Sequence, residues 1–194
     1  TPASLDDFTH FLLSWQHLYP DRRLTGTAGV QQCIEQLQAL PLPSEIWERD
    51  VLRSRLNDSS QEILNQTSAA GAIVWTGRGS GKMQCVLRGN GNIFIAPPTQ
   101  ETEALFGIAA RRVLEYMRKH GASFFADIRA GTQLSLDGLN KGIAELFWAG
   151  MITNDLFTEL QNVRRFPRIE SEVPVERIEI LNPRHNPRKA KLMH

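Results

Sequence analysis

The sequence predicts a mainly helical α+β fold made of two consecutive winged-helix units with short β-hairpins, of which the hairpin of the first unit is the clearer. Three observations support this prediction. Apolar residues recur at three- and four-residue steps through most of the chain, as in amphipathic helices. The period changes to short β-prone runs within residues 73–95, where glycine-rich turns separate the runs. A second helix-rich stretch then follows Pro97-Pro98, which marks a boundary.

Four helical patterns open the first unit. Ser4 and Asp7 resemble a capping signal before the first pattern, which Pro20 ends. Pro41 and Pro43 stop the second. The caps expected for the third and fourth patterns are Ser44 and one of Asp58, Ser59 and Ser60, and Gly71 closes the fourth. The apolar positions of the four patterns are Phe8, Phe11, Leu12, Trp15 and Leu18; Val30, Cys33, Ile34, Leu37 and Leu40; Ile46, Trp47, Val51 and Leu52; Ile63 and Leu64.

Three β-prone runs follow the helices. They are Ile73-Val74-Trp75, Cys85-Val86-Leu87 and Ile93-Phe94-Ile95. The sequence GRGSGK, residues 77–82, separates the first two and predicts a turn, because glycine adopts positive φ at little steric cost. Three helices followed by a hairpin is the order of a winged helix, in which this turn would be the wing.

The second unit repeats this order. A strongly amphipathic helix with apolar positions from Leu105 to Met117 ends at Gly121, and Phe124-Phe125 begins a short apolar element. Ser135 is placed to cap a helix with Leu136, Leu139, Ile143, Leu146 and Phe147 on one face. Gly150 closes that helix, and Met151-Ile152-Thr153 predicts the following strand.

The composition shifts from Phe166 onward. Prolines divide a stretch that ends in basic residues, and residues 172–181 alternate enough to predict an edge strand. We therefore divide the chain into a winged-helix-like unit at 1–98, a second winged-helix unit at 99–165 and a basic tail at 166–194.

Charge and cysteine content narrow the possible functions. The formal net charge is +1, so any surface that binds nucleic acid has to be local. Cys33 and Cys85 lie far apart in sequence without a CxxC pattern, and the five histidines lack metal-ligand spacing, so neither a disulfide framework nor a metal site is expected. No apolar run is long enough to cross a membrane, which predicts a cytoplasmic protein without a membrane partner. The start Thr1-Pro2-Ala3 fits a fragment of a longer chain or a processed protein.

Several blocks resemble, in their order and spacing, the Lhr (large helicase-related) family outside its motor domains. The resemblance covers about residues 8 to 165. The blocks of the first unit are residues 11–17 (FLLSWQH), 34–38 (IEQLQ), 47–52 (WERDVL) with Arg55, and 74–77 (VWTG). Those of the second unit are residues 121–125 (GASFF) and 146–155 (LFWAGMITND).

This resemblance implies an accessory, C-terminal winged-helix region of a superfamily 2 DNA-repair helicase. Its partners would be single-stranded or forked DNA and the rest of the helicase chain. ATP and Mg²⁺ would belong to the motor domains, so no cofactor is expected in this region. The same part of the family is similar to winged-helix DNA glycosylases, which leaves a uracil-type glycosylase subdomain as one alternative and a protein-interaction scaffold as another.

The candidate DNA-binding residues are basic side chains at three places: the predicted wing tip, the outward face of the helix that Ser135 caps, and the chain following that helix. They are Arg78, Lys82, Lys141, Arg164, Arg165 and Arg168, with a further basic run at Arg184, Arg188, Lys189 and Lys191. For the cluster at Arg164, Arg165 and Arg168 and for the run at residues 184–191, the alternative is a solvated tail that binds nothing. GRGSGK does not match a phosphate-binding loop, because that motif needs glycine at Thr76 and Ser or Thr at Met83.

Gln36 and Gln38 are the catalytic candidates. Their spacing is similar to that of paired glutamines that position the attacking water in winged-helix glycosylases. A glutamine amide can hold a water but is no strong base, and two side chains that lie two residues apart on a helix diverge by about 200°. An ordinary helix surface is therefore the alternative. Glu45, Glu48, Asp50, Asp127 and Asp155 are better explained by helix-start, turn and cap roles.

Overall fold

A computed structural model describes residues 3–79, 81–95 and 99–166. It confirms the predicted class, a mainly helical α+β fold with a small antiparallel sheet. The elements up to the sheet are α1 (Leu5–Trp15), a 3-10 turn (Pro20–Arg22), α2 (Gly26–Gln36), β1 (Leu42–Pro43), α3 (Ser44–Ile46), a π-helical segment (Trp47–Leu52), α4 (Arg53–Arg55), α5 (Gln61–Ala69), β2 (Ile73–Gly77) and β3 (Lys82–Leu87). The later elements are α6 (Gly91–Phe94), α7 (Gln100–Ala104), α8 (Ile108–His120), α9 (Phe125–Thr132), α10 (Leu136–Trp148) and α11 (Glu159–Arg164).

The sheet has the strand order β1-β3-β2, with β3 in the centre. β2 and β3 form the predicted hairpin, in which Trp75 lies opposite Cys85. The other neighbour of β3 is β1, whose Leu42 and Pro43 pair with Met83 and Lys82. A proline is compatible with this position because an edge strand can do without one backbone donor.

The predicted strand at Ile93-Phe94-Ile95 is wrong. Residues 91–94 form α6, because the chain turns sharply after β3. The backbone NH of Asn90 donates to the carbonyl of Leu87, and that of Ile93 donates to the carbonyl of Asn90. These bonds begin a helical turn and lead the chain away from the sheet, whose third strand is β1.

The order α2, β1, the helical stretch 44–55, α5, β2 and β3 is that of a winged helix. α5 follows the stretch 44–55 after a short turn, so it stands where the second helix of a helix-turn-helix reads DNA. The side chain of Ser60 caps it, and its chain ends in the turn at Gly71, as predicted. Leu24 joins this unit by bonding the carbonyl of Arg55 and the backbone NH of Asn57.

The hydrophobic core forms two clusters, and α10 contributes to both. The first lies between α2, the stretch 44–55, α5 and the sheet, and includes Trp47 and Trp75. The second lies between α8, α9 and α10. Phe147 and Trp148 of α10 face the first cluster, whereas Leu139 and Leu146 face the second. The two predicted units therefore share a helix.

The second unit differs from its prediction in two local features. Phe124 precedes α9 as its N-cap and Phe125 begins that helix. Residues 151–153 form no regular strand but run beside β2. The Thr76 hydroxyl donates to the carbonyl of Ile152, and the Thr153 hydroxyl donates to the carbonyl of Trp75. The predicted boundary at residue 98 falls within residues 96–98, which lie outside the described residues, as do the edge strand at 172–181 and all but the first residue of the tail.

Both cysteines are buried in the first cluster. Burial raises the pKa of the Cys33 thiol to about 11, and it raises the pKa of Cys85 as well. Because the thiolate is the reactive form, we expect neither cysteine to react with a thiol reagent near pH 8 until the chain is unfolded in denaturant. Rapid labelling of the folded chain would contradict this burial.

The same burial gives a pH dependence of stability. An unfolded Cys33 loses its proton near its ordinary pKa of 9.0, whereas the folded chain holds that proton until about 11. The folded state binds more protons between these values, so the free energy of unfolding should fall as pH rises from about 9 to about 11.

In the described part of the chain, no helix is long and apolar enough to cross a membrane.

Candidate nucleic-acid interface

The turn between β2 and β3 is docked against the end of α10. The backbone NH of Gly79 donates to the carbonyl of Trp148 over 2.8 Å. Gly77 lies so close to α10 that an added Cβ would be 2.2 Å from the carbonyl oxygen of Phe147. The backbone NH of Arg78 bonds the carbonyl of Lys82, which closes the turn. The predicted wing is therefore held in place along its backbone, while the Lys82 side chain is exposed and that of Arg78 half-buried.

α5 has no positive charge to offer DNA. Its nine residues include Glu62 and no arginine or lysine. Across residues 44–69 there are five acidic residues against three arginines, a formal net charge of −2. The Asn65 amide is also occupied, because its oxygen accepts the backbone NH of Thr158 over 3.0 Å. Contact with phosphates is therefore disfavoured at the helix that stands in the reading position.

The positive charge of the described residues is concentrated on α8 and α9. Residues 108–133 hold five arginines or lysines against two acidic residues, a formal net charge of +3 in a chain whose total is +1. Four exposed members form no ion pair with any described residue, and we call them the α8–α9 patch. They are Arg111, Arg112, Lys119 and Arg129. The fifth, Arg118, is paired with Glu103.

Two close contacts fix the helices that carry this patch. An added Cβ at Gly142 of α10 would lie 2.9 Å from the backbone of Ala109, so α8 packs closely on α10. Gly131 of α9 has no room beside the Tyr116 ring, since its Cβ would lie 2.1 Å from that ring. Tyr116 in turn stacks on His120 with ring centroids 4.3 Å apart. The four cations therefore project from a rigid base.

The other predicted DNA-binding residues occupy different settings. The Lys141 ammonium is 2.7 Å from the Asp137 carboxylate one turn away on α10. Arg164 is largely buried, donates to the Ser44 hydroxyl over 2.7 Å and pairs with Glu48 over 3.1 Å, so it ties α11 to α3 and the π-helical segment. Arg165 is exposed. Arg168 lies outside the described residues, with the basic run at 184–191.

Gln36 is the last residue of α2 and serves to hold α1. Its Nε2 donates to the carbonyl of Trp15 over 2.8 Å and lies 3.5 Å from His17 Nε2. Its Oε1 is buried and has no partner among the described residues.

Gln38 lies past the end of α2 and supports the end of β3. Its Oε1 accepts the backbone NH of Leu87 over 3.1 Å and the Asn90 amide over 2.9 Å. The two glutamines thus serve different neighbours and do not converge on one point. A joint catalytic role stays a prediction, and the structure gives each side chain a structural one.

The candidate acidic residues of the first unit lie beside arginines, and Glu45 and Glu48 both face Arg164. Glu48 pairs with Arg164, and Asp50 is bonded by Arg49, whose guanidinium lowers the pKa of that carboxyl. Within the ranges that the structure describes, no three histidine, cysteine or acidic side chains are grouped as metal ligands.

Comparison with known proteins agrees with this architecture. Residues 3–94 match the family model of the winged-helix domain of the large helicase-related protein, Lhr. The chain belongs to the Lhr family. A relative from Mycolicibacterium smegmatis, named Lhr helicase/probable uracil glycosylase, is 32% identical over 187 residues, which are 91% of this chain and 12% of the relative. The Lhr helicase/uracil glycosylase of Escherichia coli is 27% identical over 150 residues, 72% of this chain and 10% of that protein.

The Lhr match places the winged helix where the structure has it. The matched range begins before α1 and ends in α6, so it contains the three strands and the docked turn. The alignment with the M. smegmatis relative is long enough to extend well beyond that range. The chain spans only about a tenth of the length of either relative.

The α8–α9 patch was not predicted from the sequence. Its members are dispersed along helices, whereas the densest runs of basic letters lie near the end of the chain. A signal was nevertheless present, because Arg111-Arg112 and Arg118-Lys119 repeat at seven residues, about two helical turns. That spacing places the two pairs on the same side of α8.

Proposed function

We propose that this chain is a DNA-binding accessory region of an Lhr helicase, and that it grips the sugar-phosphate backbone without selecting a base sequence. The α8–α9 patch carries the proposal, since it presents four exposed cations on a rigid base. The absence of any arginine or lysine from α5 favours backbone contact over base readout. Arg78 and Lys82 at the docked turn supply a second set of cations.

The membership of the Lhr family supports our proposal for the setting of this role. Single-stranded or forked DNA in repair is the proposed substrate, in the cytoplasm, and the rest of an Lhr chain is the proposed neighbour. ATP binding and hydrolysis are assigned to motor domains outside these 194 residues. The accessory region would hold or orient the strand that those domains move.

Removing the patch should weaken DNA binding in a salt-dependent way. We expect the variant Arg111→Ala, Arg112→Ala, Lys119→Ala to lower affinity at low salt. The slope of log K against log salt should become shallower by roughly 0.7 to 0.9 for each phosphate that the variant no longer neutralises. Fluorescence anisotropy with single-stranded, forked and duplex oligonucleotides across a salt series measures both quantities.

The matched control removes three arginines from the first unit. Arg22→Ala, Arg49→Ala, Arg53→Ala deletes the same formal charge, and two of these side chains already pair with a neighbouring aspartate. We expect this control to retain most of the binding and the original slope. Equal reductions in affinity for both variants would mean that total charge, and not the α8–α9 patch, governs binding, and the proposed surface would be wrong.

The residues predicted from sequence are tested in the same assay. Arg78→Ala with Lys82→Ala should reduce the slope further if the docked turn touches phosphates. Arg165→Ala and Lys141→Ala test the two remaining described positions. Arg164→Ala is expected to lower the free energy of unfolding, because it leaves Glu48 without its ion pair.

Base removal is the second candidate, as the names of both relatives mention uracil glycosylase. The observation that favours it is the buried, unpartnered Oε1 of Gln36, which could accept a hydrogen bond from a water. The test is alkali-sensitive abasic sites in a uracil-containing oligonucleotide, which should disappear in Gln36→Leu. If a preparation free of other glycosylases produces no abasic sites, the isolated chain does not remove uracil and this candidate is excluded.

The third alternative is a protein-interaction scaffold, which predicts that the chain retains no oligonucleotide at low salt.

A further inference from the structure

Phe124 is the most exposed large hydrophobic side chain of the described residues, at 81% of its maximum. It stands at the N-cap of α9, immediately before Phe125, which is 42% exposed. A single exposed apolar side chain is ordinary in a folded protein, whereas adjacent exposed rings with polar neighbours form a patch of the kind that binds a partner. The two rings therefore form a candidate binding surface, and the neighbouring side chains indicate what kind of ligand it would bind.

The neighbouring chain is mainly cationic and polar, with one carboxylate, Asp127, in the first turn of α9. Arg129 lies one helical turn after Phe125 on α9, and Gln133 lies one turn further. Phe125, Arg129 and Gln133 line an open groove of about 470 Å³, together with Ala126, Ala130 and Leu134. Lys119 and His120 end α8, five and four residues before Phe124 respectively.

A second exposed apolar surface of the chain has a different character. α1 presents five apolar side chains in a continuous stripe, Leu5, Phe8, Phe11, Leu12 and Trp15, which are 38% to 78% exposed. Its charged residues are Asp6 and Asp7, and it carries no arginine or lysine. Such a stripe suits another apolar protein surface, and the carboxylates of Asp6 and Asp7 disfavour a nearby phosphate. The Phe124 region combines aromatic rings with cations, which is the combination that single-stranded nucleic acid favours.

We propose that Phe124 and Phe125 form a stacking platform for unpaired bases, with Arg129 and Lys119 holding the adjoining phosphates. Every base has a flat apolar face, so stacking tolerates any sequence and needs only that the base be unpaired. This inference rests on the proposed DNA-binding function and adds to it the side chains that would contact unpaired bases. The ring supplies contact with bases, and the α8–α9 patch supplies contact with phosphates.

The test uses the full 194-residue chain with two labelled oligonucleotides of equal length, an oligothymidylate and an abasic strand without bases. Phe124→Ala should bind oligothymidylate about tenfold more weakly, with an unchanged salt slope, because a neutral ring releases no counterions. Phe124→Trp should retain the affinity, since it restores an aromatic surface. On the abasic strand, wild type and Phe124→Ala should bind alike.

Ile93→Ala is the matched control, because Ile93 of α6 is another highly exposed apolar side chain, at 71%. It should leave binding to both strands unchanged. Arg129→Ala should lower the slope by an amount that corresponds to roughly one phosphate on both strands. Unfolding midpoints of all variants, measured beside the binding curves, show that each is folded.

Two results would overturn the inference. One is that Phe124→Ala binds oligothymidylate with wild-type affinity, which would show that the ring does not contact the bases. The other is an equal reduction in affinity on the abasic strand, which would show that the ring acts on the fold or on the backbone. Failure of the wild-type chain to bind any oligonucleotide would instead overturn the proposed function and this inference together.

Discussion

Gly77→Ala should destabilise the chain by about 3 kcal/mol or more. The added methyl group would lie 2.2 Å from the carbonyl oxygen of Phe147 and 2.5 Å from the Cα of Trp148. Both atoms belong to the backbone, so no side-chain rotation can relieve the overlap. The turn and α10 would have to separate, which would also strain the bond from Gly79 NH to the Trp148 carbonyl.

Chemical denaturation of the wild type and Gly77→Ala measures this effect. Gly91→Ala is the matched control, because its Cβ would meet only the end of the Ile95 side chain, at 4.0 Å, and its φ is not positive. We expect that control to stay within about 1 kcal/mol of wild type. A Gly77→Ala chain as stable as the control would mean that the turn does not lie against α10.

Trp75→Ala should cost about 3 to 5 kcal/mol, the usual range for deleting a buried aromatic side chain. Trp75 is 0% exposed and donates through Nε1 to the Ser68 hydroxyl over 3.1 Å. It meets Phe147 edge to face at 5.2 Å and Phe157 at 5.4 Å between ring centroids. The substitution therefore opens a cavity between the sheet, α10 and the chain before α11.

Trp75→Phe separates packing from hydrogen bonding. It keeps most of the apolar volume and removes the indole donor, so we expect a smaller destabilisation of about 1 to 2 kcal/mol. Trp15→Ala is the matched tryptophan control, since Trp15 is 49% exposed on α1 and should cost less than about 1 kcal/mol. Similar unfolding midpoints for Trp75→Ala and Trp15→Ala would be incompatible with the observed core.

The parts of the fold that could be predicted from sequence are those with local causes. The capping box of Ser4 and Asp7, the caps at Ser60 and Ser135 and the β2–β3 hairpin all follow from neighbouring residues. β1 could not be predicted, because two residues containing a proline show no alternation. It exists only because β3 lies beside it.

The site was less predictable because its features depend on long-range contacts. The glycine-rich turn indicated a wing, but the sequence near residues 77–82 does not indicate that the carbonyl of Trp148 accepts a hydrogen bond from the backbone NH of Gly79. Arg164 looked like a free cation next to Arg165, and its partner Glu48 lies 116 residues away. The α8–α9 patch could be predicted only by knowing which face of α8 packs on α10, since that contact decides which side chains are exposed.

The double role of α10 has a consequence for the energetics of binding. The docked turn is fixed to its C-terminal end, and α8 is fixed to its middle through Gly142. Arg78 and Lys82 on one side and the α8–α9 patch on the other are thus mounted on a single helix. The spacing of these two sets of cations is therefore fixed before a DNA strand binds to both of them. Binding would order only the ends of the side chains, without the entropy cost of aligning two independent domains.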